Sequence, residues 1–191
     1  MRRRPRTIPK HAKRVFHGAV FDVYQWRQRM FDGSTQTFER ARRADSVTIV
    51  PVTKRGTILL SRERQPGKPP FVGVPGGIVD GNETPREAAR RELLEETGYS
   101  AARLIPWFSY QAGSRIDWTI HLFVARGCEK VRPQHLDAGE HITVREVTFP
   151  AFLRTLTTSR QARNQELVLL ALKAHADKRE LRRLYRTIIG S

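Results

Sequence analysis

The chain has 191 residues, with 35 Lys and Arg against 19 Asp and Glu, and a formal net charge of +16. Its 39% hydrophobic and 28% charged residues are a globular composition, able to bury roughly 70% of the unfolded surface without a disulfide or metal staple. A single cysteine, Cys128, excludes an internal disulfide scaffold and a Cys-rich zinc module. No apolar run approaches the roughly eighteen residues of a membrane-spanning helix, so a cytoplasmic protein that does not engage membranes is expected.

In chain order, Ala19–Trp26 reads as a strand, and Asp32-Gly33 turns it into a returning arm at residues 34–41. Val47, Ile49, Val50 and Val52 mark the next strand, residues 57–62 another, and Arg64–Pro70 a Pro/Gly loop. A short strand at 71–74 runs into Pro75-Gly76-Gly77. Thr84, Pro85 and Glu87 form a capping box that opens a helix, which stops at the C′ glycine Gly98. Strands are expected at 102–110, 118–125 and 141–148, and helix after Pro150, with Leu181, Leu184, Tyr185 and Ile188 as an amphipathic stripe. The fold class is therefore α+β, a mixed sheet between helices preceded by a β-hairpin. The expected divisions are a basic tail (1–14), a hairpin arm (15–44), a main domain (45–176) and a basic helical extension (177–191).

The chemistry concentrates between Gly77 and Tyr99. On a helix, Glu92, Glu95 and Glu96 stand at i, i+3 and i+4, so three carboxylates share one face. Their repulsion is offset by a hard divalent cation, and Mg²⁺ is commonly shared between carboxylates and substrate phosphates. Arg91 can pair with Glu83 across the loop–helix junction. Gly76 and Gly77 let the backbone approach a ligand, and the Gly76 carbonyl can join a cation's ligands. An acidic triplet alone is more often a solvated helix face.

The spacing of Gly77, Glu83, Arg91, Glu92, Leu93, Glu95, Glu96, Gly98 and Tyr99 resembles the Nudix box, G-x5-E-x7-R-E-U-x-E-E-x-G-U with U a bulky apolar residue, at every specified position. Chance agreement is on the order of one in ten million. The resemblance implies a Nudix fold and a pyrophosphohydrolase. It implies metal at Gly76, Glu92, Glu95, Glu96 and Glu140, catalytic roles for Glu95 and Glu140, and structural roles for Gly77, Glu83, Arg91 and Gly98. The cofactor implied is Mg²⁺, with Mn²⁺ as the alternative.

Residues 14–176 resemble the ADP-ribose and nucleotide-sugar pyrophosphatase branch. Phe21–Val52 is similar to that branch's hairpin, which pairs across a two-fold axis in many relatives and so implies a homodimer. LLSRERQP is similar to its Q-x-R segment, which implies substrate-binding roles for Arg62 and Arg64. Three features depart from the branch. Residues 110–113 lack a Pro, Gly73 stands where Glu is usual, and of two late acids only the second is matched, by Glu140, with Ala138 at the first and Asp137 beside it. The general base is thus Glu140, Asp137 or a box glutamate. The reading is hydrolysis of a nucleoside diphosphate linked to another group, such as ADP-ribose, to a monophosphate and a sugar phosphate.

The excess charge lies at the ends. Residues 1–14 hold seven cations and no acid, and residues 154–186 hold nine cations against three acids. Such ends either form a solvated periphery or bind a polyanion, which implies weak RNA binding. Two alternatives follow: a pyrophosphohydrolase of RNA 5′ ends, or a basic nucleic-acid-binding protein that retains the Nudix fold. The Arg-rich start also has the composition of an organelle-targeting segment.

Overall fold

A run buried from Val47 to Thr53 makes β4 (Ser46–Thr53) the middle of a sheet, because a strand covered on both faces reads as continuous apolar sequence. In the computed structural model, which describes residues 8–190, β4 lies antiparallel to β5 (Ile58–Arg64) and parallel to β9 (Thr119–Lys130). The sheet is completed by β10 (His141–Val147) outside β5, β7 (Tyr99–Gln111) outside β9, and the short β6 (Phe71–Gly73) on β5. Alternation along the strands feeds two cores. Val47 and Ile49 of β4, with Phe123 and Ala125 of β9, face α1 (Pro85–Thr97). Val50, Val52, Leu122 and Val124 face α2 (Phe149–Thr158), α3 (Gln165–Ala176) and α4 (Lys178–Ile188). The architecture is the expected α+β one, a mixed sheet between helices.

Before this core, β2 (Asp22–Arg29) and β3 (Thr35–Arg42) form the expected hairpin. Two strands were not legible in advance. β1 (Lys13–His17) pairs with β2, and β8 (Ile116–Asp117), from the β7–β9 connection, pairs in parallel with β3. Arg42 Nε donates to Asp117 Oδ2 at 3.0 Å, a side-chain bond between β3 and β8 within this four-stranded sheet.

Both ends of the described chain pack into the fold. The boundary after residue 14 falls inside β1, and Ile8 is already buried; residues 1–7, with the Arg-rich start, lie outside the described residues. At the other end α4 is no appendage, because Leu184 and Ile188 belong to the same core cluster as α2 and α3. Arg126 holds its last turn by donating to the carbonyls of Arg186, Thr187 and Ile188. Among the described residues, no helix is long and apolar enough to cross a membrane.

Candidate active site

Helix α1 begins and ends as its sequence dictates. Thr84 Oγ1 accepts from Glu87 N–H, and the Glu87 carboxylate accepts from Thr84 N–H at 2.7 Å, a reciprocal capping box. Gly98 sits at φ 75°, a left-handed conformation that glycine adopts without steric cost. Ala88, Ala89 and Leu93 bury one face of the helix against the sheet, and Glu92 and Glu96 run along that same side, Glu96 itself buried, with Glu95 at its border.

Arg91 organises the turn in front of this edge. Its Nη2 and Nε donate to the Glu83 carboxylate at 2.7 and 3.2 Å, and Nη2 also donates to the Ile78 carbonyl at 2.9 Å. Nη1 donates to Glu92 Oε1 at 2.8 Å and to Glu95 Oε2 at 3.1 Å. One guanidinium thus fixes both the loop and two box carboxylates, and these partners hold its pKa above the ordinary arginine value. Gly77 packs so closely on Glu92 that a Cβ there would strike the carboxylate. The carbonyls of Pro75 and Gly77 accept from Ile49 N–H and Val47 N–H of β4. The Gly76 carbonyl between them accepts no bond among the described residues, while Gly76 N–H donates to Glu96 Oε2 at 3.1 Å.

The carboxylates act strongly on one another. Burial, against the opposing pull of Arg91, pushes Glu92 up to about 7. Burial together with the neighbouring charges of Glu63 and Glu92 pushes Glu96 up to about 9. Glu140 is raised by burial and by Asp137, and Glu95 adds to the effect. Glu63 is raised by burial, with Glu140 contributing. Repulsion of this kind opposes burial of charge unless protons or a cation compensate it.

Glu140 reaches the group through a tethered loop. His135 N–H donates to the Glu95 carbonyl at 2.9 Å, Gln134 Nε2 to the Glu96 carbonyl, and Val131 N–H to the Gly98 carbonyl at 2.9 Å. The free carbonyls at the C-terminus of α1 are thereby satisfied by the loop that leads to Glu140. Asp137, in the same loop, is exposed.

Glu63 was missed by sequence reading, which took β5 as strand without asking which side each residue faces. Ser61 and Glu63 alternate with Leu60, Arg62 and Arg64, and Leu60 belongs to the α2–α4 core. Glu63 therefore faces α1, and its charge acts on Glu96. Arg62 and Arg64, expected to bind substrate, lie by the same alternation on the opposite face. Arg62 there lines a hollow of about 450 Å³ with Val72, Thr143, Arg145 and Gln161. A second hollow of about 430 Å³, between Tyr99 and Glu146, also excludes the carboxylates.

Other candidates are accounted for by packing. Trp107 and Tyr110 pack on the α2–α4 core. Trp118 Nε1 donates to Ser46 Oγ at 2.9 Å, beneath the Arg43 guanidinium 4.4 Å from its ring. His121 bonds Ser109 Oγ at 2.9 Å and Asp45 Oδ2 at 3.3 Å. Cys128 is buried, which pushes its thiol up to about 12.

Residues 42–168 match the NUDIX domain family. The chain belongs to the Nudix family. It is 31% identical over 159 residues to the ADP-ribose pyrophosphatase of Bacillus subtilis (strain 168), covering 82% of this chain and 84% of that one. It is 28% identical over 151 residues to the methanol dehydrogenase activator of Bacillus methanolicus, covering 78% and 82%. A solved ADP compounds hydrolase shares the fold, with a TM-score of 0.71 at 23% identity over 87% of this chain and 91% of that one. The chain thus falls in the ADP-ribose pyrophosphatase branch of the Nudix family and is a pyrophosphohydrolase.

The donor set of this Nudix site suits a hard cation. Its atoms are carboxylate oxygens and one free carbonyl, with no sulfur or imidazole. Among the described residues, no three acidic, histidine or cysteine side chains already stand close enough to hold an ion, and Arg91 occupies oxygens of Glu92 and Glu95.

Proposed function

We propose that the protein hydrolyses a nucleoside diphosphate linked to a sugar, with ADP-ribose as the leading substrate, in a reaction dependent on Mg²⁺ or Mn²⁺. The observation that carries this reading is the mutually repelling, largely buried carboxylate group of α1, held in register by Arg91 and joined by Glu140. The similarity to an ADP-ribose pyrophosphatase along most of both chains supports the substrate class.

Glu92, Glu95, Glu96, Glu140 and the Gly76 carbonyl would hold the cation. When bound, it would neutralise the diphosphate and acidify a water molecule. Glu140 would accept the proton of the attacking water as its oxygen adds to one phosphorus. The bridging P–O bond breaks, and the products are a nucleoside monophosphate and a sugar phosphate. Glu140 is favoured over Asp137 as the base because it is half-buried beside the box carboxylates, whereas Asp137 is exposed. Glu83 and Arg91 hold the loop and do not touch the reacting atoms.

A second copy of the chain completes the assembly in this reading, docked on the four-stranded sheet. Val15, Phe16, Phe31 and Phe38 of that sheet and its turns are exposed, an apolar surface that calls for cover. Arg179, Arg182, Arg183 and Arg186 of α4 are exposed too, which supports weak, salt-sensitive RNA binding beside the hydrolase activity. The buried, unpaired Cys128 agrees with a cytoplasmic setting.

The decisive experiment is release of monophosphate from a panel of nucleotide sugars, dinucleotides and 5′-triphosphorylated RNA, with Mg²⁺ and with a chelator. Turnover of ADP-ribose that stops on chelation is expected. Turnover confined to RNA ends would overturn the substrate assignment, and undiminished turnover in chelator the metal dependence.

A further inference from the structure

Glu63 belongs to neither the box nor the late acidic loop, yet it is 7% exposed at the edge of the catalytic helix. It reaches that position from β5, a separate element from α1 and from the loop that carries Glu140. Its Oε1 accepts from Ser61 Oγ at 2.7 Å, two residues back on the same strand face. Its Oε2 receives no hydrogen bond, and no cation pairs with it, among the described residues; Arg163 and Lys68 act on it only through space.

Glu96 is in a matching position. It is 3% exposed, its Oε2 accepts from Gly76 N–H, and its Oε1 receives no bond among the described residues. Of all surrounding charges, Glu63 acts on it most strongly. Two carboxylates from different elements are thus both buried on the α1 side of the sheet, each with an oxygen that no described residue bonds. Arg91, the guanidinium that bonds the other box acids, bonds neither. A cationic partner would normally be required to keep such a pair.

We infer that Glu63 is a further cation-binding residue, which completes with Glu96 the oxygen shell of the ion held by α1. The inference rests on the reading of α1 as a metal-binding helix and adds a ligand from the sheet to it. Ser61 orients the carboxylate, leaving Oε2 for the ion. The rigid strand then fixes the depth at which the ion sits, whereas helix residues alone fix only its position along the helix.

The test is Mn²⁺ binding to the full-length protein without substrate, followed by calorimetry, together with the unfolding temperature with and without Mn²⁺. Glu63→Gln should weaken binding by about 10- to 100-fold, the range seen when groups that support a metal site are removed. It should also shrink the rise in unfolding temperature that Mn²⁺ gives. The metal-free variant should be at least as stable as the wild type, because one repelling charge is gone. Ser61→Ala keeps the carboxylate and removes only its orienting hydroxyl, and a loss of about 10-fold, the low end of the range for outer partners of a metal ligand, is expected. It also reads out the idea should Glu63→Gln fail to fold. Wild-type affinity in a folded Glu63→Gln, or in Ser61→Ala if Glu63→Gln does not fold, overturns the inference. If Glu63→Gln gains metal-free stability while its affinity is unchanged, Glu63 and Glu96 merely share a proton, which also overturns it. A wild type that hydrolyses nucleotide sugars but binds as Glu63→Gln does leaves the hydrolase reading intact and removes only Glu63. A wild type that binds no Mn²⁺ removes both.

Discussion

Every strand of the six-stranded sheet carries at least one buried residue, whereas no residue of β1, β2, β3 or β8 is buried. The first sheet is covered by α1 on one face and by α2–α4 on the other. The second is held by its own ladders and by the Arg42–Asp117 link, with the Trp26 and Phe38 rings tilted against each other at 5.9 Å on its surface. The core is therefore stabilised from both faces. The arm has strands in register and an uncovered apolar surface. Substitutions in the two regions should consequently fail in different ways.

The largest effect is expected in the core, where chemistry and fold can be separated. Glu96→Gln preserves shape, can still accept from Gly76 N–H, and removes a buried charge. Turnover should fall about a thousandfold, a loss on the scale of several kcal/mol of transition-state stabilisation, while the unfolding temperature does not drop. Near-normal steady-state activity in saturating Mg²⁺ would break the assignment of the core as the catalytic region. Next, Glu140→Gln should lower turnover about 100-fold or more, the range for a lost general base, and Asp137→Asn should leave it within about threefold. Reversal of that order would move the base to Asp137.

A smaller and qualitatively different effect is expected in the arm. Phe38→Asp should convert a dimer to a monomer in light scattering, with the unfolding free energy of the core changed by less than about 1 kcal/mol. A monomeric wild type would dissolve the contrast between the regions. The smallest effect concerns the cap of α1. The Thr84 N–H bond holds the Glu87 carboxyl below its ordinary value. Its contribution is therefore present above an unfolded pKa of about 4.3 and is lost as pH falls through the folded value. Glu87→Gln should flatten the fall of unfolding temperature between about pH 5 and pH 3; an unchanged slope would show that other acids govern it.

What the sequence disclosed divides along the same physical line. Helix α1 was legible from end to end because Thr84, Glu87 and Gly98 act on atoms within one turn of themselves. The hairpin of β2 and β3 was legible through Asp32-Gly33. β1, written Lys13-Arg-Val-Phe-His17, has no alternation because neither of its faces is buried. β8 is two residues long and is defined only by pairing with Ala41 and Arg42, some 75 positions earlier in the chain. The breaks among the last three helices depend on Asn164 in a left-handed conformation and on Asp177 as a cap, which a general helical reading from Pro150 does not locate. In the site, the box gave the residues of α1 and their order. Family likeness drew attention to Arg62 and Arg64, but likeness in letters carries no information on the face of a strand. The pleat turns those two away from the acids and turns Glu63, between them, toward the helix.

The loop from Val131 to His135 is fastened to α1 mainly through main-chain atoms: amides of Val131, Arg132 and His135 on carbonyls of Gly98 and Glu95, with Gln134 the one side chain that joins them. Main-chain tethers do not depend on side-chain identity. Arg132, Pro133, Leu136, Ala138 and Gly139 can therefore be exchanged over generations without displacing Glu140. That gives this chain a stretch between α1 and Glu140 whose side chains can vary while its path stays in place.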